Sequence, residues 1–131
     1  MKGIYVLVIS VNKNISVNIG ALGNVPFERG LYAYVGSAQN SLEKRVERHL
    51  RKKGKRSFWH IDYLLNNDAV SIMKVFYEEA ARSEECKVAE KIDKEGVPVR
   101  RFGSSDCKCR SHLFKVEGYD FLRKFMHELR T

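Results

Sequence analysis

The sequence lacks the features of secreted and membrane proteins. Its three cysteines are an odd number, which argues against a framework of paired disulfides. No stretch approaches the roughly 20 apolar residues that a membrane-spanning helix needs. The apolar start of the chain ends early, at Ser10, and no small-residue cleavage site of a signal peptide follows it. We therefore expect a cytoplasmic protein with reduced thiols and no membrane partner.

Internal repeats and low-complexity linkers are also absent, so the 131 residues suit a single domain spanning 1–131. Hydrophobic residues make up 44% of the chain, which is enough for a real core at this length. Lys and Arg total 24 against 16 Asp and Glu, which gives a formal charge of +8. An excess this large favours an anionic partner, with nucleic acid as the first candidate, although charge alone also suits a ribosomal or membrane-surface role.

Hydrophobic periodicity predicts an α+β fold, in which a small, mainly antiparallel sheet is flanked by helices. The predicted strands are 3–11, 15–19, 31–35, 70–77 and 112–116. The predicted helices are 40–50, 58–65, 83–92 and 119–129.

Turn and capping residues set the predicted boundaries. The turn at 12–14 predicts that 15–19 returns as a hairpin on the first strand, and Gly and Pro residues predict a loop over 20–30. Gly36 ends the strand before the first helix. Asn40, followed by Glu43, resembles a capping box, and Ser83 is the predicted cap of the third helix.

The first predicted helix sorts its charges by sign. Leu42, Val46 and Leu50 form its buried stripe, and Arg45 and His49 lie one turn apart at the edge of that stripe. An arginine at this edge can keep its stem on the core and turn its guanidinium into a cleft, where its planar fork suits phosphate oxygens.

Two interpretations of this basic helix remain open. The first is a solvated face with internal ion pairs, which are common on protein surfaces. The second is a nucleic-acid surface, which the basic run after the helix favours. The residues of that surface are Arg48, Arg51, Lys52, Lys53, Lys55 and Arg56.

The third predicted helix carries an acid in line with its apolar stripe. Glu85 precedes Val88, Ala89 and Ile92 at helical spacing. A carboxylate that faces a core is costly unless it is paired or bound to a cation. Three readings stay open: Glu85 binds a divalent metal in a cleft, pairs with a buried arginine, or lies half exposed in the first turn.

Cysteine and histidine are concentrated near the end of the chain. Cys107, Cys109 and His112 lie close together, and Cys86 is available from the third helix. These side chains would suit a structural Zn²⁺ site. The Cys-x-Cys spacing is less typical of zinc than Cys-x-x-Cys, so we favour buried thiols, or a loop held by Asp106, over a zinc site.

Two short motifs resemble those that name the GIY-YIG nuclease superfamily. They are Gly3-Ile4-Tyr5 and Tyr34-Val35-Gly36, each on a predicted strand, and a helix that carries Arg45 follows the second. The resemblance implies that Arg45 is the essential arginine of the first helix and that His49 is the histidine found one turn later in some members. It also implies that Glu85 is the metal-binding glutamate, with Glu90 as a rival.

Longer stretches resemble one small branch of that superfamily, whose function is poorly defined and whose members occur alone or beside DNA-repair enzymes of the endonuclease III kind. The stretches are 34–38 (YVGSA), 59–64 (WHIDYL), 85–86 (EC) and 102–114 (FGSSDCKCRSHLF). Candidate cleft-lining residues within them are Ser37, His60, Asp62, Ser105 and Asp106. For His60 and Asp62, ordinary helix packing is the simpler reading.

The resemblance implies a metal-dependent endonuclease that hydrolyses phosphodiester bonds in DNA during repair, recombination or defence. Tyr5 or Tyr34 would orient or deprotonate a water molecule, for which a phenol of pKa ~10 needs cationic neighbours. Arg45 would stabilise the transition state and Glu85 would hold one Mg²⁺ or Mn²⁺ ion. His49 would assist proton transfer. Taken singly, each tyrosine is equally well explained by strand packing.

Two other functions remain alternatives. The same cleft could hold nucleic acid without cutting it, or the chain could be a zinc-stabilised interaction domain that partners a DNA-repair enzyme. Only cleavage requires Tyr5, Tyr34, Arg45 and Glu85 to share one solvent-open cleft.

Overall fold

The chain folds with the α+β architecture that the sequence predicts. The structure, a computed structural model, describes residues 1–51, 57–104 and 108–130. Its strands are β1 (Gly3–Val11), β2 (Ile15–Asn18), β3 (Asn24–Phe27), β4 (Gly30–Ala38), β5 (Val70–Glu78), β6 (Gly96–Pro98), β7 (Leu113–Val116) and β8 (His127–Glu128). Its α-helices are α1 (Leu42–Leu50), α2 (His60–Leu65) and α3 (Glu85–Asp93), and short 3-10 helices occupy Gly20–Leu22, Arg82–Glu84 and Asp120–Lys124.

Six strands join in one antiparallel sheet, in the order β6-β7-β4-β1-β5-β8. The other two, β2 and β3, form a separate two-stranded sheet. The central strands β1 and β4 pair along their whole length, with Tyr5 opposite Gly36. This register brings the two tyrosine-containing motifs of the sequence side by side in the middle of the sheet.

The sheet separates two hydrophobic cores, so β1 is buried on both faces. Its odd-numbered residues from Tyr5 onward face a core closed by α1, α2 and the two-stranded sheet. Ile4, Val6 and Val8 face a second core closed by α3 and the C-terminal segment. A strand covered on both faces needs apolar residues at successive positions, which explains the unbroken run from Ile4 to Ile9.

Two predictions for the part of the chain from β2 to β4 were wrong. The first placed β2 on β1, but β2 pairs with β3, which lies inside the predicted loop at 20–30. Ile15, Val17 and Val25 pack against the first core, so this hairpin covers the core instead of extending the main sheet. The second ended the next strand at Gly36, but β4 continues to Ala38 because Gly36 pairs with β1 in extended conformation.

The helix predicted over 119–129 was also wrong. This segment is a short 3-10 helix followed by β8, which pairs with β5 at the sheet edge. Leu122 and Met126 pack into the second core, so their helical spacing reflects docking against the sheet. The edge strand β6, which pairs with β7, was not predicted.

Both predicted helix caps are displaced by one residue. The N-cap of α1 is Ser41, whose Oγ accepts a hydrogen bond from the backbone N–H of Lys44 at 3.2 Å. Glu84 occupies the N-cap position of α3 and makes no side-chain cap bond, because a turn of 3-10 helix leads into this helix.

The buried stripe of α1 also differs at one position. Leu50, predicted as its last member, is 41% exposed, and His49 is buried in its place at 2% exposed. Within the described ranges, no helix combines the length and the apolar character that crossing a bilayer would require.

We expect alanine substitution on either face of β1 to destabilise the protein. Leu7 lies in the first core and Ile4 in the second, and both are 0% exposed. Leu7→Ala and Ile4→Ala should each lower the free energy of unfolding by about 2 to 5 kcal/mol, measured by urea denaturation. The control Met73→Ala, at a half-exposed position, should change it by less than about 0.5 kcal/mol. A near-neutral effect at either buried position would contradict the two-core arrangement.

Candidate functional site

A cleft of about 490 Å³ collects residues from β1, β4, α1 and α3. It brings together Tyr5, Tyr34, Arg45 and Glu85, the residues that the sequence predicted to share one site. The other lining residues are Gly36, Ser37, Gln39, Asn40, Phe58, Trp59, His60, Arg82, Gly103 and His112. Two tyrosines, a guanidinium and a carboxylate from distant parts of the chain therefore meet at one solvent-accessible place.

Tyr5 is held by a hydrogen bond and by the absence of a side chain opposite it. Its hydroxyl lies 2.7 Å from Nε2 of His49, which α1 turns inward. Both residues are buried. A Cβ added at Gly36 would overlap the Tyr5 ring and hydroxyl. Glycine at this position lets the Tyr5 ring lie across β4 and reach the histidine.

The environment of the two tyrosines keeps them protonated. Burial raises the pKa of Tyr5 above its ordinary value, and the nearby charge of Arg45 only partly offsets this effect. Burial likewise raises the pKa of Tyr34 well above its ordinary value, and the neighbouring Tyr5 adds to the rise. Neither phenol is therefore a phenolate base at neutral pH. His49, bonded to Tyr5, is placed to take the Tyr5 proton.

Arg45 enters the cleft from α1 and is fixed by two contacts. Its Nη1 donates to the backbone carbonyl of Ser37 at 3.1 Å, and its guanidinium carbon lies 4.5 Å from the centre of the Trp59 ring. Among the described residues, no carboxylate forms an ion pair with Arg45. Its charge and its further N–H donors suit an anion that enters the cleft.

A buried carboxylate holds the neighbouring arginine. The two carboxylate oxygens of Asp62 accept from Nη1 and Nη2 of Arg48 at 2.9 and 3.0 Å. Oδ2 also accepts from the backbone N–H groups of Phe58 and Trp59 at 2.8 and 2.9 Å. Burial alone would raise the pKa of Asp62, but the hydrogen bonds from Arg48 and the two backbone groups lower it below its usual value.

Trp59 connects the two arginines. The guanidinium carbon of Arg48 also lies 4.5 Å from the Trp59 ring centre, so the ring contacts both cations. Asp62 was predicted to line the cleft and Arg48 to contact nucleic acid. Asp62 is instead 0% exposed and is not among the residues that line the cleft, whereas the contact of Arg48 with nucleic acid stays a prediction. The two residues form a bidentate ion pair that supports Trp59 and, through it, Arg45.

Glu85 reaches the cleft from the other side of the sheet. The apolar stripe of α3 packs into the second core, whereas Tyr5 and Tyr34 belong to the first. Glu85 is the first residue of α3, and from this end of the helix it lines the same cleft as Arg45. It is half-buried, and its charge contributes to the raised pKa of both tyrosines. Its rival Glu90 is exposed and does not line the cleft.

The donor set of the cleft fits a hard divalent cation. Glu85 supplies the carboxylate among the described lining residues, and hydroxyl and amide groups of Ser37, Gln39 and Asn40 share the same space. Mg²⁺ is commonly held by one or two carboxylates while it keeps several waters. Glu85 is therefore a residue that could hold such a cation, and the binding of Mg²⁺ or Mn²⁺ stays a prediction.

The remaining predicted positions divide into three groups. Ser37, His60 and His112 line the cleft, with Nδ1 of His60 accepting from the backbone N–H of Gly103 at 2.9 Å. Arg51 is exposed at the end of α1. The predicted positions Lys52, Lys53, Lys55, Arg56, Ser105, Asp106 and Cys107 lie outside the described residues.

Sequence reasoning missed several lining residues. Gln39 and Asn40 follow β4 directly, so the end of the second tyrosine motif was the available signal. Arg82 stands just before α3 and gave no signal of its own. Phe58, at 78% exposed, is a large aromatic side chain in solvent at the cleft.

We expect Asp62→Asn to destabilise the fold. We also expect the free energy of unfolding of this variant to fall less on acidification than that of wild type. Loss of the charged pair should lower the free energy of unfolding by about 2 kcal/mol at neutral pH, because Arg48 loses its partner and is partly solvated. The folded pKa of Asp62 lies below the unfolded value of about 3.9. Its contribution is therefore complete above about pH 4 and is lost as the pH falls through the folded pKa.

The measurement is urea unfolding of wild type and Asp62→Asn between about pH 7 and about pH 3. Asp68→Asn is the control, because Asp68 is exposed in the turn after α2. If Asp62→Asn loses as much stability below about pH 4 as wild type does, the ion pair does not have the stabilising role described.

We expect Gly36→Ala to disturb the Tyr5–His49 pair. The added methyl would overlap the Tyr5 ring, so the substitution should destabilise the protein by about 1 to 3 kcal/mol in denaturant unfolding. Gly118→Ala is a matched control, because a Cβ there would meet nothing within 4 Å. Equal effects of the two substitutions would contradict the close approach of Tyr5 to β4.

Comparison with known proteins places the chain in a family without assigning it an activity. No curated protein and no solved structure matches it. The model of a domain family of unknown function, DUF123, matches residues 4–131. Because this description names no chemistry, the nuclease interpretation depends on the cleft itself. The match covers nearly the whole sequence, and the chain belongs to the DUF123 family.

Proposed function

We propose that this protein is a metal-dependent endonuclease that hydrolyses phosphodiester bonds in DNA, as the resemblance to GIY-YIG nucleases implies. The observation that carries the proposal is the convergence of Tyr5, Tyr34, Arg45 and Glu85 on one cleft. These residues come from two faces of the sheet and from positions 5 to 85 of the chain. Core packing alone does not require them to share a solvent-accessible space.

Arg45 is the proposed phosphate-binding group. It bears a permanent charge, it has no ion-pair partner among the described residues, and its contacts with Ser37 and Trp59 fix its orientation. Hydrolysis builds negative charge on the phosphoryl oxygens, and a guanidinium already in position stabilises that charge without reorganising. The Asp62–Arg48 pair does not itself bind phosphate in this proposal; it positions Trp59, which contacts Arg45.

Tyr5 and His49 form the proposed proton-transfer pair. Because the pKa of Tyr5 is raised, the phenol must lose its proton to a neighbour before it can act on water. His49 lies 2.7 Å away and can accept this proton in its neutral form. The positive charge of Arg45 favours the resulting phenolate, which can then take a proton from the attacking water.

Glu85 is the proposed metal ligand. A bound Mg²⁺ or Mn²⁺ would supply charge neutralisation at the phosphate and assistance to the leaving oxygen. Glu85 and Arg45 line the same cleft, whose volume of about 490 Å³ is large enough for a phosphate group.

The surroundings of the cleft favour nucleic acid over a small phosphate ester. The chain has a formal charge of +8. Arg82 is exposed and lines the cleft, and Arg51 is exposed at the end of α1. Phe58 presents an exposed ring beside Trp59, with 5.5 Å between ring centres, on which an unstacked base can lie. A DNA-binding enzyme fits these features, and the proposal includes the cytoplasmic location that the sequence predicts and the DNA-repair partner that the resemblance implies.

The alternative is a binding module that uses the same cleft without cutting DNA. The protonated state of Tyr5 and Tyr34 favours it, because it leaves no strong base in the resting site. Both functions predict a steep loss of affinity with added salt, through counterion release. Cleavage that depends on a divalent ion therefore distinguishes them.

We expect wild-type protein to nick DNA when Mg²⁺ or Mn²⁺ is present. The test uses labelled duplex, flap and junction substrates, with gel readout of products and a parallel binding assay. Arg45→Ala should slow nicking by about 10² to 10³-fold. Glu85→Gln should abolish metal-dependent nicking while DNA binding persists, because the carboxylate is removed and the cationic surface is kept.

Two exposed positions provide matched controls. Glu90→Gln removes a carboxylate from the same helix, and Lys44→Ala removes a cation from the same helix as Arg45. Both should nick as wild type does. Wild-type protein that binds all three substrates and nicks none, with either metal, would support the binding module. Undiminished nicking by Glu85→Gln would remove the proposed metal role of that residue.

A further inference from the structure

A second cluster of side chains that could ligate a metal does not include Glu85. The Sγ atoms of Cys86 and Cys109 and a ring nitrogen of His112 all lie within 4.8 Å of one another. They come from the first turn of α3, from the segment before β7 and from the residue that precedes β7. Two separate parts of the fold, the start of α3 and the segment before β7, thus bring their donor atoms together.

The spacing is close to that of a bound tetrahedral ion. With Zn–S distances of ~2.3 Å and Zn–N distances of ~2.0 Å, neighbouring ligand atoms stand roughly 3.6 to 3.8 Å apart. Cys86, Cys109 and His112 therefore need to approach by only about 1 Å, which small side-chain rotations supply. Neither cysteine is in a disulfide, and the histidine is almost fully buried.

The chemistry of the donors selects the ion. Two thiolates and an imidazole form a soft set, which prefers Zn²⁺ over the hard Mg²⁺ and Mn²⁺. A carboxylate with waters, as at Glu85, has the opposite preference.

We propose that Cys86, Cys109 and His112 form a site for a soft divalent cation of the Zn²⁺ class, which clamps the start of α3 to the segment before β7. This reverses the preference for buried thiols that spacing alone supported. The Cys-x-Cys spacing concerns only cysteines that are close in sequence. It therefore could not predict that Cys86, from α3, lies beside Cys109 and His112.

The clamp would act on the cleft through two of its residues. Cys86 follows Glu85 directly, so an ion that fixes Cys86 also fixes the start of the helix that places the carboxylate. His112 both belongs to the cluster and lines the cleft. The proposed role is structural positioning, and it holds whether or not the cleft cuts DNA.

The test is metal binding by the purified, reduced chain, with no nucleic acid present. The apo protein is titrated with Co²⁺, whose absorption spectrum reports thiolate ligation and tetrahedral geometry, and then with Zn²⁺ as competitor. We expect about one ion per chain. Saturation with Zn²⁺ at 100 times its dissociation constant should raise the melting temperature by roughly 8 to 12 °C for a domain of this size.

Matched variants separate this site from its neighbours. Three variants each remove one ligand: Cys86→Ser, Cys109→Ser and His112→Asn. Each should lose the zinc-dependent rise in melting temperature. Each should also lose either the thiolate–cobalt absorption of wild type or the binding of one ion per chain. His127→Asn is the histidine control, because His127 is exposed on β8. Glu85→Gln is the control for the carboxylate site. Both controls should bind zinc as wild type does.

Three results would overturn the proposal. They are failure of the reduced wild-type chain to bind Co²⁺ or Zn²⁺ stoichiometrically, binding that survives in both cysteine variants, and loss of binding in Glu85→Gln. Circular dichroism of each apo variant shows whether it is folded. Because the readout is metal binding, failure here leaves the proposed nuclease activity untouched, and failure to nick DNA leaves the zinc site untouched.

Discussion

The structure depends on burying one strand on both of its faces. β1 makes the central pairings of the sheet, with β4 on one side and β5 on the other, and it carries side chains into two separate cores. The helices α1 and α2 cover one face of this strand, and α3 covers the other. Tyr5 lies within this constraint, because it belongs to the first core and is also one of the residues that line the cleft. The position of the site follows from the position of the strand.

The orientation of the site depends on a chain of contacts that starts in the core. Asp62 is wholly buried, and four hydrogen bonds satisfy its carboxylate. It fixes Arg48, both arginines contact Trp59, and Arg45 is fixed further by the carbonyl of Ser37. A guanidinium with a long flexible stem loses its freedom before any ligand arrives. Preorganisation of this kind is what electrostatic stabilisation of a phosphate needs.

Much of this arrangement could be predicted from sequence, because it depends on local periodicity. The strands of both tyrosine motifs, the helix of Arg45 and the alternation of Tyr34 with its apolar neighbours follow from spacing. The Asp62–Arg48 ion pair could not be predicted, since its residues are 14 positions apart and nothing local marks their contact. The helix predicted over 119–129 was wrong for a related reason. Leu122 and Met126 have helical spacing, but they dock against a sheet. Helical spacing predicted that Glu85 lies in line with the apolar stripe of α3. That it lines the same cleft as Arg45 could be seen only in the tertiary structure.

Trp59 gives the cleft an optical property of its own. It is the single tryptophan of the chain, and its indole contacts the guanidinium that points toward the ligand space. Any anion that draws Arg45 away from the ring changes the polarity around the only indole present. Intrinsic fluorescence therefore reports occupancy of this one location without a label, even for a ligand that is bound and never chemically altered.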